Sequence, residues 1–116
     1  VFCGPSCVFT NVINPRAFLN KKNEFQKTIV RKGTTIGANA TIICGVELGE
    51  YSFVAAAAVV TKNILPFSLV VGSPARQVGW VGHSGEKLDS KLICPVSGRR
   101  YKENLNGELS EIINGK

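Results

Sequence analysis

The sequence predicts an all-β fold, a parallel β-coil built from hexapeptide repeats, and three observations carry that reading. Stepping by six from Val30 places an aliphatic residue at Val30, Ile36, Ile42, Leu48, Val54 and Val60. The fifth place of the same blocks holds Thr34, Ala40, Val46, Ser52 and Ala58, all small or β-branched. This period fits neither the roughly 3.6 of a helix nor the alternation of a plain strand. A coil with three flat sides satisfies it: each side is a short strand that turns one aliphatic inward, and a small residue sits near each corner. Three hexapeptides then close one turn, no turn can bury its aliphatics alone, and stacking makes the core. Columns recur every 18 residues, with Ile36 over Val54 and Val30 over Leu48.

Taken in chain order, a first tract reads FCGPSC and VFTNVI, with Phe2 and Val8 in first place and Ser6 and Val12 in fifth. From Val8 to Val30 is 22 residues, one hexapeptide plus an excess of 16. The excess falls in the polar, Pro-containing stretch from Asn14 onward, so residues 14–29 are expected as an inserted loop. Roughly two further turns run from Val30 to about Asn63. Gly37, Gly45 and Gly49 suit places where the backbone bends or leaves no room for a Cβ. After Gly79 the repeat stops and GHSGEKLDSKL reads as a connector. From Leu92 to Ile113, LIC, RRYKE and ELSEII read as short strands turned at SGRR and LNGE. The expected division is a coil domain over 1–78 and a C-terminal extension over 79–116.

Composition narrows the class. The chain has 116 residues, 44% hydrophobic and 19% charged, close to an ordinary soluble domain. The longest apolar run, Phe53 to Val60, is far shorter than the about 20 residues a membrane-spanning helix needs, so no membrane span is expected. The chain lacks Met and any signal-peptide pattern at Val1, and is expected to be cut from something longer. The net charge of +6 is concentrated between Arg16 and Lys32, whereas Gly33 to Thr61 holds no Lys or Arg. No zinc finger, recognition helix or aromatic-interleaved basic motif accompanies the cluster, which argues against nucleic acid. It reads instead as a solvated basic loop or a site for an anionic small molecule. Cys3, Cys7, Cys44 and Cys94 read as reduced thiols of a cytoplasmic protein. Metal is not expected: Cys3 and Cys7 have no second pair at ligand spacing, and His83 is the single histidine.

The tract IGANATIICGVELGEYSFVAAAAVVTKNI followed by PFSLVVGSPARQVGW resembles the left-handed parallel β-helix acyltransferases, the hexapeptide-repeat family. The left-handed sense is implied by the resemblance, since the general rule for parallel crossovers gives the right hand. FCGPSCVFTNVINPR and ICPVSGRRY narrow it further. They resemble the bacterial sugar N-acetyltransferases that acetylate the 3-amino group of UDP-2-acetamido-3-amino-2,3-dideoxyglucuronate in surface-polysaccharide pathways. Members of that family carry further coils on the N-terminal side. The resemblance implies acetyl-CoA as cosubstrate, a nucleotide-linked sugar as acceptor, and a homotrimer with active sites between subunits.

The residues can be read beside that implication. Acetyl-CoA is a flexible pantetheine on an anionic nucleotide, so its groove needs small residues at one end and cations at the other. Gly37, Gly45, Ala55, Ala56 and Ala57 offer backbone approach, although tight packing alone also explains the alanines. Lys62 and Arg76 are the first cations after the stretch without Lys or Arg, and the resemblance places the CoA phosphates near them. Pro74 and Ala75 lie in the GSPAR turn, where the family leaves the coil beside the nucleotide. Acyl transfer to an amine requires a free amine and a polarised thioester carbonyl. His83 lies beyond the coil exit and reads as surface or packing. Thr10, Asn11, Asn14 and Arg16 precede the loop, and the resemblance puts Asn11 at the reaction centre with the other three toward the substrate. A corner or ladder asparagine of the solenoid is the alternative account of Asn11, and the resemblance alone favours the functional one. CPxSG resembles half a zinc knuckle but, without a partner, reads as a tight turn. On the repeat alone a non-catalytic assembly scaffold stands beside the enzyme, as does an O-acetyltransferase of another small acceptor.

Overall fold

The computed structural model describes residues 1–113, and the last three residues of the expected extension lie outside them. The repeat winds into a three-sided parallel coil. The first side stacks β1 (Phe2–Cys3), β4 (Thr35–Ile36), β7 (Phe53–Val54) and β9 (Ser68–Val71) in that order. The second side stacks β2 (Val8–Phe9), β5 (Thr41–Ile42) and β8 (Val59–Val60). The third pairs β3 (Ile29–Val30) with β6 (Glu47–Leu48), and a parallel bridge from Leu48 to Ile64 continues it. The expected columns are present: Ile36 pairs with Val54, and Val30 with Leu48.

From β1 to β8 each strand is two residues long, one outward and one inward, because the turn after it must change direction at once; β9, the last of the coil, has four. The inward Ile36, Ile42, Leu48, Val54 and Val60 have no exposed surface. Fifth-place Thr34, Ala40, Ser52 and Ala58 are buried at the corners, with Val46 7% exposed. Between them the fourth place takes positive φ: Asn39 at 61°, Gly45 at 87°, Tyr51 at 56° and Ala57 at 63°. Such angles in the third residue of a four-residue turn make it type II, which favours Gly or Asn. The coil holds Tyr51 and Ala57 there because their N–H groups donate across the stack, to Lys32 O and Ala38 O, both at 2.9 Å.

The structure corrects the phase of the first tract by one residue. Cys3 pairs with Ile36 and Phe9 with Ile42, so Cys3 and Phe9, not Phe2 and Val8, hold the inward place, and Cys7 rather than Ser6 the corner. Gly4 decides it. Its Cβ would lie 2.6 Å from Ala38 N, just as a Cβ on Gly37 would lie 2.5 Å from Ala56 N. Both glycines occupy the second place of a block, where the next turn's backbone leaves no space. Gly45 has the other reason, its positive φ.

The chain leaves the coil by a hairpin that the sequence reading did not resolve. β9 pairs antiparallel with β10 (Arg76–Trp80), which adds a fifth strand to the first side. Beyond it, β11 (Arg100–Glu103) and β12 (Leu109–Ile112) form the expected second hairpin, whereas LIC contributes only the Ile93–Arg100 bridge. Leu88, Cys94, Tyr101 and Leu109 make a small core of their own, against which Phe67, Trp80 and Leu92 pack. No α-helix occurs among the described residues; the inserted loop holds a single 3-10 turn at Lys22–Glu24. Leu48 is central to the main core and fully buried. Leu48→Ala is therefore expected to cost about 2–5 kcal/mol, read by denaturant titration.

Candidate active site

The three sides meet at three corners, and two of them frame the second side. The corner it shares with the first side is formed by 37–40, 55–58 and the 72–75 turn; Gly72 O accepts from Val59 N, and Ala75 N donates to Val59 O. Gly37, Ala55, Ala57 and Pro74 lie on this corner. The corner it shares with the third side stacks 10–11 on 43–46 on 61–63, and carries Thr10, Asn11, Gly45 and Lys62. Arg76 opens β10 and lines, together with Lys62, a cleft of about 280 Å³ at the end of the coil. Thr61, Asn63, Ser68 and Gln77 add polar groups to its wall, Ile64, Leu65, Val70 and Ala75 apolar ones, and no Asp or Glu lines it. The two cations expected to share one anionic ligand thus do share one cleft.

Not every predicted residue converges. Asn14 and Arg16 lie farther along the exposed loop, and among the described residues no hydrogen bond or ion pair joins their side chains to the other candidates. The small residues also offer less than their backbone exposure suggested. The amides of Gly37, Ala55, Ala57 and Gly45 already donate, to Val54 O, Val70 O, Ala38 O and Lys27 O, at 2.8 to 2.9 Å. A ligand running past them would meet carbonyl oxygens, whose second lone pairs remain. Its own amide N–H groups, rather than its carbonyls, would find partners there.

Asn11 is exposed and held from both sides. Its carbonyl accepts from Gln26 N at 2.9 Å, which closes the inserted loop at its base. The preceding residue is stitched to the turn below: Thr10 N donates to Ile42 O, and Thr10 Oγ1 accepts from Cys44 N, both at 3.0 Å. Sequence reasoning assigned Thr10 to substrate and overlooked Gln26. None of these three bonds has a local signature, since each joins segments far apart in the chain.

His83 stands at the corner between the third and first sides, across the coil from the second. Its ring meets Tyr51 and Phe67 edge-on, with centroids 4.5 and 4.9 Å away. Its Nδ1 lies 2.8 Å from Tyr101 Oη, which also accepts from His83 N at 3.0 Å. The packing role expected for it is what the structure shows: His83 fastens the extension to the coil. Burial lowers its pKa below 6.5; Glu111 opposes that shift, and Arg99 and Lys32 reinforce it. The CPxSG segment is the expected tight turn, with Gly98 N donating to Cys94 O at 2.9 Å. Ser84 first, then Ser97, bonds the Cys94 thiol and brings its pKa down to about 7. All four cysteines are free thiols, and no cluster of three or more metal-ligating side chains occurs among the described residues.

No family model matches the chain. It is 42% identical over 92 residues to a dTDP-3-amino-3,6-dideoxy-alpha-D-galactopyranose 3-N-acetyltransferase of Aneurinibacillus thermoaerophilus, covering 77% of this chain and 47% of that protein. It is 43% identical over 63 residues to a serine acetyltransferase of Buchnera aphidicola subsp. Schizaphis graminum, covering 54% of this chain and 24% of that one. Among solved structures, a hexapeptide-repeat-containing acetyltransferase of Vibrio cholerae O1 biovar eltor, complexed with acetyl coenzyme A, superposes with a TM-score of 0.58. That match is 30% identical and covers 66% of this chain and 44% of the other. The chain spans less than half the length of each of these proteins. In sequence and in fold the chain is thus similar to hexapeptide-repeat acetyltransferases over the part of them that it spans.

The lowered His83 pKa has a sign that can be checked. A histidine whose folded pKa is depressed adds stability above its unfolded pKa, and that contribution is lost as pH falls through the folded value. Wild-type protein is therefore expected to lose melting temperature relative to His83→Gln as pH falls below the ordinary histidine value of about 6.5, read by paired thermal scans.

Proposed function

We propose that this chain is part of an acetyl-CoA-dependent N-acetyltransferase acting on the amino group of a nucleotide-linked amino sugar. Its place would be in surface-polysaccharide biosynthesis, in the cytoplasm, with UDP-2-acetamido-3-amino-2,3-dideoxyglucuronate the acceptor that its motifs most resemble. In this reading residues 1–78 form the acyltransferase coil, wound left-handed, and 79–116 the extension. The observation that carries it is the acid-free cleft shared by Lys62 and Arg76 at the end of the coil. The nucleotide phosphates of acetyl-CoA would sit there, with the pantetheine crossing the second side between the corner of Gly37, Ala55, Ala57 and Pro74 and the corner of Gly45. Asn11, at the far end of the Lys62 corner, would meet the thioester and the amine, with Asn14 and Arg16 toward the sugar.

The chemistry follows from the inventory. An asparagine amide cannot take a proton at neutral pH, so the amine enters free. The amide donates instead to the oxyanion that forms on the thioester carbonyl, where such a donor is typically worth about a hundredfold or more. His83 is fastened into the aromatic cluster on the opposite corner and takes no part. The 42% identity to an N-acetyltransferase of a dTDP-linked 3-amino sugar supports a nucleotide sugar as acceptor.

Calorimetric titration with acetyl-CoA tests the reading. Arg76→Ala is expected to weaken acetyl-CoA by about 1.5–3 kcal/mol, the worth of a charge-assisted hydrogen bond, and to leave pantetheine binding unchanged. Equal loss for both ligands would assign Arg76 to folding. The proposed assembly is a homotrimer, because a short coil gains by burying its flat sides against copies of itself. Sedimentation equilibrium at micromolar concentration is expected to give a trimer; a stable monomer would count against it.

A further inference from the structure

We infer that Thr10 is a positioning residue for Asn11, acting together with the Gln26 amide, rather than a contact for the sugar. The inference rests on the acetyl-transfer reading for its functional part and on bonds within the coil for its structural part. The Thr10 hydroxyl is occupied: it accepts from Cys44 N at 3.0 Å, in a half-buried setting. A hydroxyl so engaged keeps its own proton free, but its direction is set by the coil and not by a ligand. The backbone of Thr10 is held as well, through Ile42 O.

One residue later the chain is pinned again by the Gln26 N to Asn11 O bond. Gln26 is itself seated. Its Oε1 would lie 2.7 Å from a Cβ on Gly45, so it occupies the space which that glycine leaves open, and Gly45 N donates to Lys27 O next door. The peptide of Asn11 therefore lies between two anchors. One comes from the turn below through Thr10, and the other from the returning end of the inserted loop through Gln26. An exposed side chain on a backbone held in this way starts from one place, which is what a donor to a developing oxyanion requires.

The test compares Thr10→Val, Thr10→Ser and Gln26→Pro in the full-length protein, using hydrogen exchange at Gln26 N and steady-state acetyl transfer. Exchange at Gln26 is expected to quicken about tenfold in Thr10→Val and to stay near wild type in Thr10→Ser, which keeps the acceptor. Transfer should fall about tenfold in kcat for Thr10→Val and Gln26→Pro, with KM for acetyl-CoA held, and recover to within about threefold in Thr10→Ser. Because Thr10 acts through Asn11, adding Thr10→Val to Asn11→Ala should cost nothing beyond Asn11→Ala alone. Multiplicative losses in that double variant overturn the inference. Unchanged Gln26 exchange in Thr10→Val overturns it whatever the activity. A wild-type protein that transfers no acetyl group, with the exchange pattern as expected, refutes the function and leaves the anchoring of Asn11 supported. Should Thr10→Val fail to fold, Gln26→Pro carries both measurements of kcat and non-additivity.

Discussion

The coil and its corners depend on one constraint: each turn of backbone lies hydrogen-bonded in parallel on the next, at the spacing of paired strands. That spacing dictates what each place of the hexapeptide can hold. The first place must fill the interior, hence Ile36, Ile42, Leu48, Val54 and Val60. The fifth must turn a corner in little space, hence Thr34, Ala40, Ser52 and Ala58. At the second place a Cβ can run into the neighbouring backbone, as at Gly4 and Gly37. Ser52 shows how tight the corners are, since its buried Oγ has no partner among the described residues.

The same stacking assembles the candidate site. Residues distant in sequence reach one corner because the coil brings every third hexapeptide back to it. Asn11, Gly45 and Lys62 share a corner for that reason, and Gly37, Ala55 and Pro74 share the next. Arg76 joins Lys62 only because the β9–β10 hairpin folds back against the end of the coil. A rigid ladder of amides supplies the precision, and those amides are consequently spent on the ladder itself.

Much of this was legible in the residues. The inward aliphatics and the small corners follow from period six, and the columns from three blocks per turn. The phase of the first tract was not, because FC and VF each offer two adjacent apolar residues and the aliphatic rule cannot choose between them. Gly4 carried the missing signal, once second-place glycines are understood as sites without room for a side chain. The hairpin at Ser68–Trp80 escaped notice because its two strands have no hexapeptide pattern and meet across the GSPAR turn. The anchors on Asn11 were invisible for a different reason: Cys44 and Gln26 are ordinary residues whose importance lies only in where the coil and loop bring them. The position of His83 was read correctly from sequence order alone, but its cage of Tyr51, Phe67 and Tyr101 was not.

The inserted loop departs after Asn11 and returns at Gln26 and Lys27, on the same corner and hydrogen-bonded to its own starting point. Its two ends are thus joined by the coil, and the stack beneath is blind to the length between them. Extending a closed loop costs little, only about 0.6 kcal/mol for each doubling. The segment is a cassette: its middle, with Asn14, Arg16 and the exposed Phe18, can be exchanged or lengthened without refolding the solenoid. Rewriting this one stretch of chain would leave the Lys62–Arg76 cleft, at the other end of the coil, as it is.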